Sequence, residues 1–353
     1  MADPLWLDKN NLTNIKLNEF FELDSLDAFG PKVQAFLIAL YSLTTFLAFT
    51  GNSLVILVEL YGKRSARNLR KFLINLAISD ILIGVLVVPF IYTDFMLGRW
   101  IFSLILCPIA QFVQLLSVFV TTYTLTAIGI ERYIATLHPL SYPNIWLRSH
   151  CNLILQIGWI FGTIMASVAV IHTKAVPFSY KNETYYDCRQ DVGWTDSDFK
   201  VYIVFSFVVT FLLPMLFITI SYGAIARRLL KCPFLNTSSG VFYDKRNSEF
   251  INKIKVFKML VLVVIMFVGC WLPMKVFMLI MAFWPEFVEI DTIYVYYAYY
   301  GFYFVCHFLA MANSFVNPII YCFMSKSFRA SMRLGILPIK ESRYCGTSLS
   351  QIS

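Results

Sequence analysis

The chain has 353 residues, 58% of them hydrophobic and 14% charged, with a mean hydropathy of +0.67. Soluble globular domains carry about 25% charged residues, so this composition excludes one and points to a protein that lies in lipid. The formal net charge of +8 suits an anionic membrane surface and not nucleic acid, because the basic residues lie in the loops between apolar runs.

Seven such runs, each long enough to cross about 30 Å of hydrocarbon, fall at 33–61, 69–97, 104–137, 149–173, 199–229, 255–283 and 293–323. The predicted fold is an all-α membrane protein, a seven-transmembrane helix bundle with a short amphipathic inner-surface helix. It divides the chain into an extracellular tail (1–32), the bundle (33–323), and the amphipathic helix with a cytoplasmic tail (324–353). None of the runs precedes a small-residue cleavage site, so the first is expected to act as an uncleaved signal-anchor. Twenty of the 29 Lys and Arg residues lie in one alternating set of loops and eight in the other. The basic set faces the cytoplasm, which places the N-terminus outside and the chain in the plasma membrane.

In chain order, the tail 1–30 is acidic: Asp3, Asp8, Glu19, Glu22, Asp24 and Asp27. It reads either as a solvating tail or as a first contact for a ligand. Asn11-Leu12-Thr13 is a glycosylation sequon on the outer side, as is Asn182-Glu183-Thr184. The first helix carries Asn52 and the second Asp80, a mid-membrane carboxylate whose burial is too costly for mere packing. Pro89 kinks the outer half of the second helix, with Asp94 one turn further out. The third runs from an outer Cys107 to Glu131-Arg132-Tyr133 at the membrane boundary, where the charges can stay ionised and change partners.

Cys107 and Cys188, the latter in the second outer loop, share the oxidising side, and a bridge between them is expected; two free thiols are the alternative. The fourth helix carries Trp159, and the fifth Pro214 and Tyr222; the inner loop after it, about 230–254, is too short for a domain. The sixth reads Phe267-Val268-Gly269-Cys270-Trp271-Leu272-Pro273, where the proline removes a backbone hydrogen bond and makes a hinge. The seventh ends Asn313-Ser314-Phe315-Val316-Asn317-Pro318-Ile319-Ile320-Tyr321, followed by a basic amphipathic segment, Ser325-Lys326-Ser327-Phe328-Arg329, fit to lie on inner-leaflet lipid. Cys345 is a candidate for palmitoylation or a plain exposed thiol.

With these residues in place, the chain resembles the rhodopsin-like (class A) G-protein-coupled receptors over about 33–330. The resemblance rests on Asn52, Leu76 with Asp80, Cys107, Glu131-Arg132-Tyr133, Trp159, Pro214 and Tyr222, Cys270-Trp271-Leu272-Pro273, and Asn317-Pro318-Ile319-Ile320-Tyr321. It implies that Glu131 holds Arg132 at rest and releases it to a heterotrimeric G protein, with Tyr222 and Tyr321 filling the space behind. Phe267 and Trp271, beside the Pro273 hinge, would couple ligand to outward motion of the sixth helix. Asp80, Thr121, Asn313, Ser314 and Asn317 resemble the family's sodium pocket, with water as the alternative occupant; no other cofactor or metal is expected. Arrestin and receptor kinases are the remaining expected partners, and Ser and Thr in 342–353 would be kinase sites. Two positions depart from the family pattern. Lys253 stands where many relatives have an acid that locks the arginine, with Glu249 a poor substitute, which predicts some ligand-independent activity. Thr122 replaces the usual aliphatic partner of Pro214 and Phe267.

Gln114 lies seven residues after Cys107, where amine receptors carry an aspartate, and Met311 stands where opsins carry a retinal lysine. Gln114, the Pro89 kink, an acidic mouth and an aromatic seventh helix (Tyr294, Tyr296, Tyr297, Tyr299, Tyr300, Tyr303) resemble the neuropeptide Y, tachykinin and RFamide-type receptors. Fifteen acids face outward against eight bases, which favours a cationic, amidated peptide. The candidate ligand residues are Gln114, Lys275, His307, Asp94, Asp187, Asp191, Met278 and Tyr303. Lys275, one turn above Trp271, needs a partner: an internal acid, or an acidic peptide or lipid ligand. A decoy receptor that binds without signalling is opposed by the intact Glu131-Arg132-Tyr133 and Asn317-Pro318. The sequence contains no inverted repeats of a transporter and no nucleophile–base or metal-spaced set of an enzyme.

Overall fold

A computed structural model describes residues 26–61, 67–138, 149–190, 192–231, 241–284, 293–325, 328–330 and 332. Among them seven helices are long and apolar enough to cross a membrane. They are α1 (Pro31–Tyr61), α2 (Arg67–Leu86, resumed at Val88–Leu97), α3 (Leu106–Leu137), α4 (Cys151–Ile171), α5 (Asp196–Phe207, Val208–Leu212 and Leu213–Lys231), α6 (Val241–Phe283) and α7 (Ile293–Met324). Beyond α7, residues 328–330 are helical, and the Phe328 ring is buried against Tyr321 at 6.2 Å. Ser325 Oγ caps this turn by accepting the Phe328 N–H at 3.1 Å.

Prolines explain the irregular points. α2 breaks at Val87 (φ −122°, ψ −56°), and Pro89 sits in the first turn of the resumed helix, where its missing N–H costs nothing. In α5 a wide turn at Val208–Leu212 precedes Pro214, whose ring would crowd the carbonyl four residues back in a regular helix. Pro273 and Pro318 lie inside α6 and α7, both of which continue through them.

α3 is the central helix, packed on α2, α4 and α5, while α7 packs on α1, α2 and α6. The most apolar stretch of α3 is 72% buried and that of α7 67%, against 22% for α1 and 22% for α5. The outward faces of α1, α4 and α5 instead carry apolar side chains such as Phe36, Phe46, Ile160, Ile164, Phe217 and Ile220, as lipid requires. Small residues bring helices close: a Cβ on Gly158 would stand 2.5 Å from the Tyr123 ring on α3, and one on Gly84 would stand 2.6 Å from Ala48 on α1. Polar ties cross the same interfaces. Asn52 donates to the Ser314 carbonyl at 2.7 Å, and Asn75 donates to Thr124 at 2.8 Å while accepting the Trp159 indole N–H at 2.8 Å.

The connection after α4 is an antiparallel hairpin that the hydropathy pattern does not reveal, β1 (Lys174–Tyr180) paired with β2 (Glu183–Arg189). Lys181 and Asn182 make its turn with φ of 49° and 66°, the two left-handed positions that the twist of a tight hairpin demands.

Candidate functional site

The hairpin is fixed over one end of the bundle. Cys107 at the start of α3 is disulfide-bonded to Cys188 on β2, with a Cα–Cα distance of 5.6 Å. The Trp100 N–H donates to the Tyr186 carbonyl at 2.7 Å, and its indole packs on the bridge. The expected pairing of Cys107 with Cys188 is therefore present. Asp187, next to the bridge, is buried and already engaged. Several acids of the expected acidic mouth have local partners. Asp27 lies 3.8 Å from Arg99, Asp196 2.8 Å from Lys200, and Asp198 accepts the Thr195 hydroxyl at 2.6 Å. Glu183 accepts the Tyr185 hydroxyl at 2.5 Å, a bond that holds the Tyr185 phenol above its ordinary pKa. Such local pairing leaves the net charge excess but shortens its reach.

Below the hairpin lie polar groups without partners. Gln114 on α3 is 5% exposed, and its Oε1 has no hydrogen-bond partner among the described residues. The same holds for the Trp271 indole N–H on α6 and for His307 Nε2 on α7. The other ring nitrogen of His307 is joined to the Tyr41 hydroxyl at 2.9 Å, and its ring stacks on Tyr303 at 5.6 Å. Tyr303 stacks in turn on Phe95 of α2 with centroids 3.5 Å apart. A buried polar atom left unsatisfied costs about 1–3 kcal/mol, so each of these three, on α3, α6 and α7, is a group able to meet something polar. Lys275 is half-buried and forms no ion pair with a described acid, contrary to the internal pairing weighed from the sequence. Met278 packs beside Phe199, Ile203 and Ala282 near the disulfide end. Asp94 is already engaged. Asp191, Asn11 and Cys345 lie outside the described residues, as do the side chains of Glu249 and Lys253. Asn182 is exposed at the hairpin tip.

Halfway along the bundle Asp80 is fully buried and accepts from Asn317 Nδ2 at 2.9 Å through one oxygen, while Oδ1 has no partner among the described residues. Ser117 Oγ, Thr121 Oγ1 and Asn313 Nδ2, on the adjoining α3 and α7, are likewise buried without partners. Ser314 donates to the Met311 carbonyl at 2.7 Å and keeps its lone pairs. Sequence reasoning missed Ser117, although it lies one turn before Thr121 on the same face of α3.

At the opposite end Glu131 and Arg132 form an ion pair, Oε2 to Nε 3.0 Å, with the Glu131 side chain 2% exposed and that of Arg132 23%. Tyr222 of α5 packs beside Gly129, where an added Cβ would be 3.7 Å from its ring, and it meets Phe257 of α6 in a T-shaped contact at 5.7 Å. Tyr321 is buried against Phe328. Above them Phe267 lies 6.4 Å from Trp271 and 6.4 Å from Phe211 of α5. Thr122 is buried and spends its hydroxyl on the Val118 carbonyl at 2.8 Å, so it behaves as a small packing residue.

The profile of the 7 transmembrane receptor (rhodopsin family) matches residues 51–321. This chain is a rhodopsin-family receptor. Its relatives include a neuropeptide FF receptor 2 of Rattus norvegicus, 30% identical over 86% of this chain and 73% of the relative. A RYamide receptor of Tribolium castaneum is 30% identical over 96% and 92%, and a QRFP-like peptide receptor of Branchiostoma floridae 27% over 92% and 84%. The class A reading and the neuropeptide-receptor likeness made from the motifs are both borne out, and the protein is a multi-pass membrane receptor, not an enzyme. In this receptor the partnerless atoms fall on helices of the bundle interior, and the Glu131–Arg132 pair closes the end away from the disulfide.

Proposed function

We propose that the receptor lies in the plasma membrane with its hairpin and N-terminus outside, binds an extracellular peptide beneath the hairpin, and activates a heterotrimeric G protein. The observation that carries the signalling half is the Glu131–Arg132 pair, a buried acid holding a partly exposed arginine at the membrane boundary, where it can exchange partners. The expected route is outward motion of α6 about Pro273, driven through Trp271 and Phe267. The peptide half is supported by the names of the relatives and by Gln114, whose free carbonyl oxygen suits the N–H donors of a C-terminal amide. The acidic excess outside favours a cationic peptide.

Lys275 favours a second reading: with no acid among the described residues to hold, it would receive a carboxylate from an acidic or free-ended peptide or a lipid. A decoy that binds without signalling has no observation in its favour. Asp80, Ser117, Thr121, Asn313, Ser314 and Asn317 present an oxygen-rich set that fits a sodium ion, which would offset the buried carboxylate. Asn182 at the exposed tip is the glycan site, while arrestin, receptor kinases and inner-leaflet lipid are the expected partners of the opposite face.

The test is a calcium and cAMP readout in cells expressing the receptor, against amidated peptides, free-acid peptides and lipids. Responses to peptides ending in Arg-Phe-amide, lost in Gln114→Ala and kept in Lys275→Gln, support the first reading. Responses to free-acid ligands only, lost in Lys275→Gln, replace it with the second.

A further inference from the structure

The short stretch before α1 does not behave as a solvating tail. The Ala28 N–H donates to the Met96 carbonyl at 2.9 Å at the end of α2, and Ala28 is 2% exposed. Asp27 lies 3.8 Å from Arg99 and accepts from Gln34 of α1 at 2.9 Å; the same amide donates to the Phe29 carbonyl at 2.9 Å. The Phe29 ring is caged by Tyr297 (6.1 Å), Tyr300 (6.3 Å) and Phe304 (5.6 Å) of α7. Three helices and the segment therefore meet in one packed corner.

Gly98 is what permits so close an approach. It ends α2 with φ +60°, and a Cβ there would stand 2.3 Å from the Leu26 carbonyl oxygen, a contact that backbone cannot relieve. The next residues carry the contact onward. The Arg99 guanidinium lies 5.4 Å over the Tyr185 ring on β2, and Trp100 is bonded to Tyr186 beside the disulfide. Segment, end of α2 and hairpin form one connected rim.

We propose that residues 26–30 are a fixed strap that seals the α1–α2–α7 side of the outer mouth. Phe29, Asp27 and Arg99 are then positioning residues of the ligand cavity. The proposal rests on the peptide-receptor reading of that cavity and adds its direction of entry. Phe29 fills the aromatic corner of Tyr297, Tyr300 and Phe304, so a ligand's aromatic ring is excluded from it and turned toward Gln114 and Trp271. Through Phe304 and Phe95 the strap also holds Tyr303, which stacks on His307.

The strap is tested on full-length receptor in intact cells with a membrane-impermeant maleimide. Ala28→Cys should label about tenfold more slowly than Gly30→Cys, since Gly30 is exposed with nothing within 4 Å of an added Cβ. Arg99→Gln or Phe29→Ala, added to Ala28→Cys, should raise its rate, and Phe29→Tyr should leave it low. If either variant fails to reach the surface, the other carries the comparison. Equal labelling of Ala28→Cys and Gly30→Cys in the otherwise native chain overturns the strap.

The second arm uses a peptide ending in Arg-Phe-amide. Phe29→Ala should weaken its potency several-fold, with Phe29→Tyr close to native. The charge-swapped pair Asp27→Arg with Arg99→Asp should recover potency that either single change loses. A potency unchanged by every strap variant overturns the positioning role. Absence of any response to the peptide counts against the ligand reading alone, while labelling still decides the strap.

Discussion

Asp80→Asn isolates the charge at the centre of the bundle. The amide keeps an oxygen to accept from Asn317, so the bond at 2.9 Å survives and only the anion is removed. Three oxygens without partners surround the question: Asp80 Oδ1, Ser117 Oγ and Thr121 Oγ1. At about 1–3 kcal/mol for each unsatisfied buried group, satisfying all three bounds an ion's contribution at roughly 3–9 kcal/mol. Mass action sets the smaller observable value: an ion at ten times its Kd stabilises by about 1.4 kcal/mol. With about 2–4 °C of Tm per kcal/mol for domains of 150–250 residues, sodium should raise the Tm by roughly 3–6 °C over choline at equal ionic strength. Purified receptor in detergent, followed by thermal shift in the two salts, reads this without a ligand. Asp80→Asn should abolish the sodium increment and be the more stable protein in choline, because no uncompensated anion remains buried. Ser117→Ala should reduce the increment. Equal Tm values in sodium and choline for the native chain would refute the reasoning.

Three further outcomes follow from other parts of the bundle. Glu131→Gln removes the charge that faces Arg132 at 3.0 Å; a partly exposed pair is worth about 0.2–1 kcal/mol, so basal G-protein signal should rise about 1.4- to 5-fold, measured by nucleotide exchange without ligand. Gly158→Ala places a methyl 2.5 Å from the Tyr123 ring and should cost about 1–3 kcal/mol by overpacking α3 on α4. Gly269→Ala, with nothing within 4 Å of its Cβ, is the control and should leave Tm at or above native. Asn182→Gln should remove a glycan-sized gel shift from cell-expressed receptor, because the residue is exposed at the hairpin turn; an unchanged mobility would show that this sequon is unused.

Much of the architecture was legible because lipid leaves few choices. A bilayer forces every backbone group in an apolar run of this length to bond within its own helix, so hydropathy alone predicts the seven spans. Asp80 stood out for the cost of a lone mid-membrane carboxylate, and Cys107 with Cys188 for the oxidising side they share. Where signals were short-range or ambiguous, the reading stopped. The β1–β2 hairpin has no run long enough to register, and its turn residues are a Lys and an Asn with no glycine. Asp187 reads from sequence as one more outer acid, yet it is buried beside the bridge.

The amino-acid sequence by itself determined the bundle, the inner and outer loops expected of it, the hinge prolines and the charged pair at Glu131-Arg132, because hydropathy, proline chemistry and the cost of buried charge act locally. Only the tertiary structure decided what those helices hold. Among the described residues Lys275 was left without an acid, Ser117 joined Asp80 and Thr121 as buried partnerless oxygens, and Phe29 was drawn out of an acidic tail into the Tyr297–Tyr300–Phe304 corner. Those outcomes depend on contacts between residues up to hundreds of positions apart, where packing geometry and not residue type selects the partner.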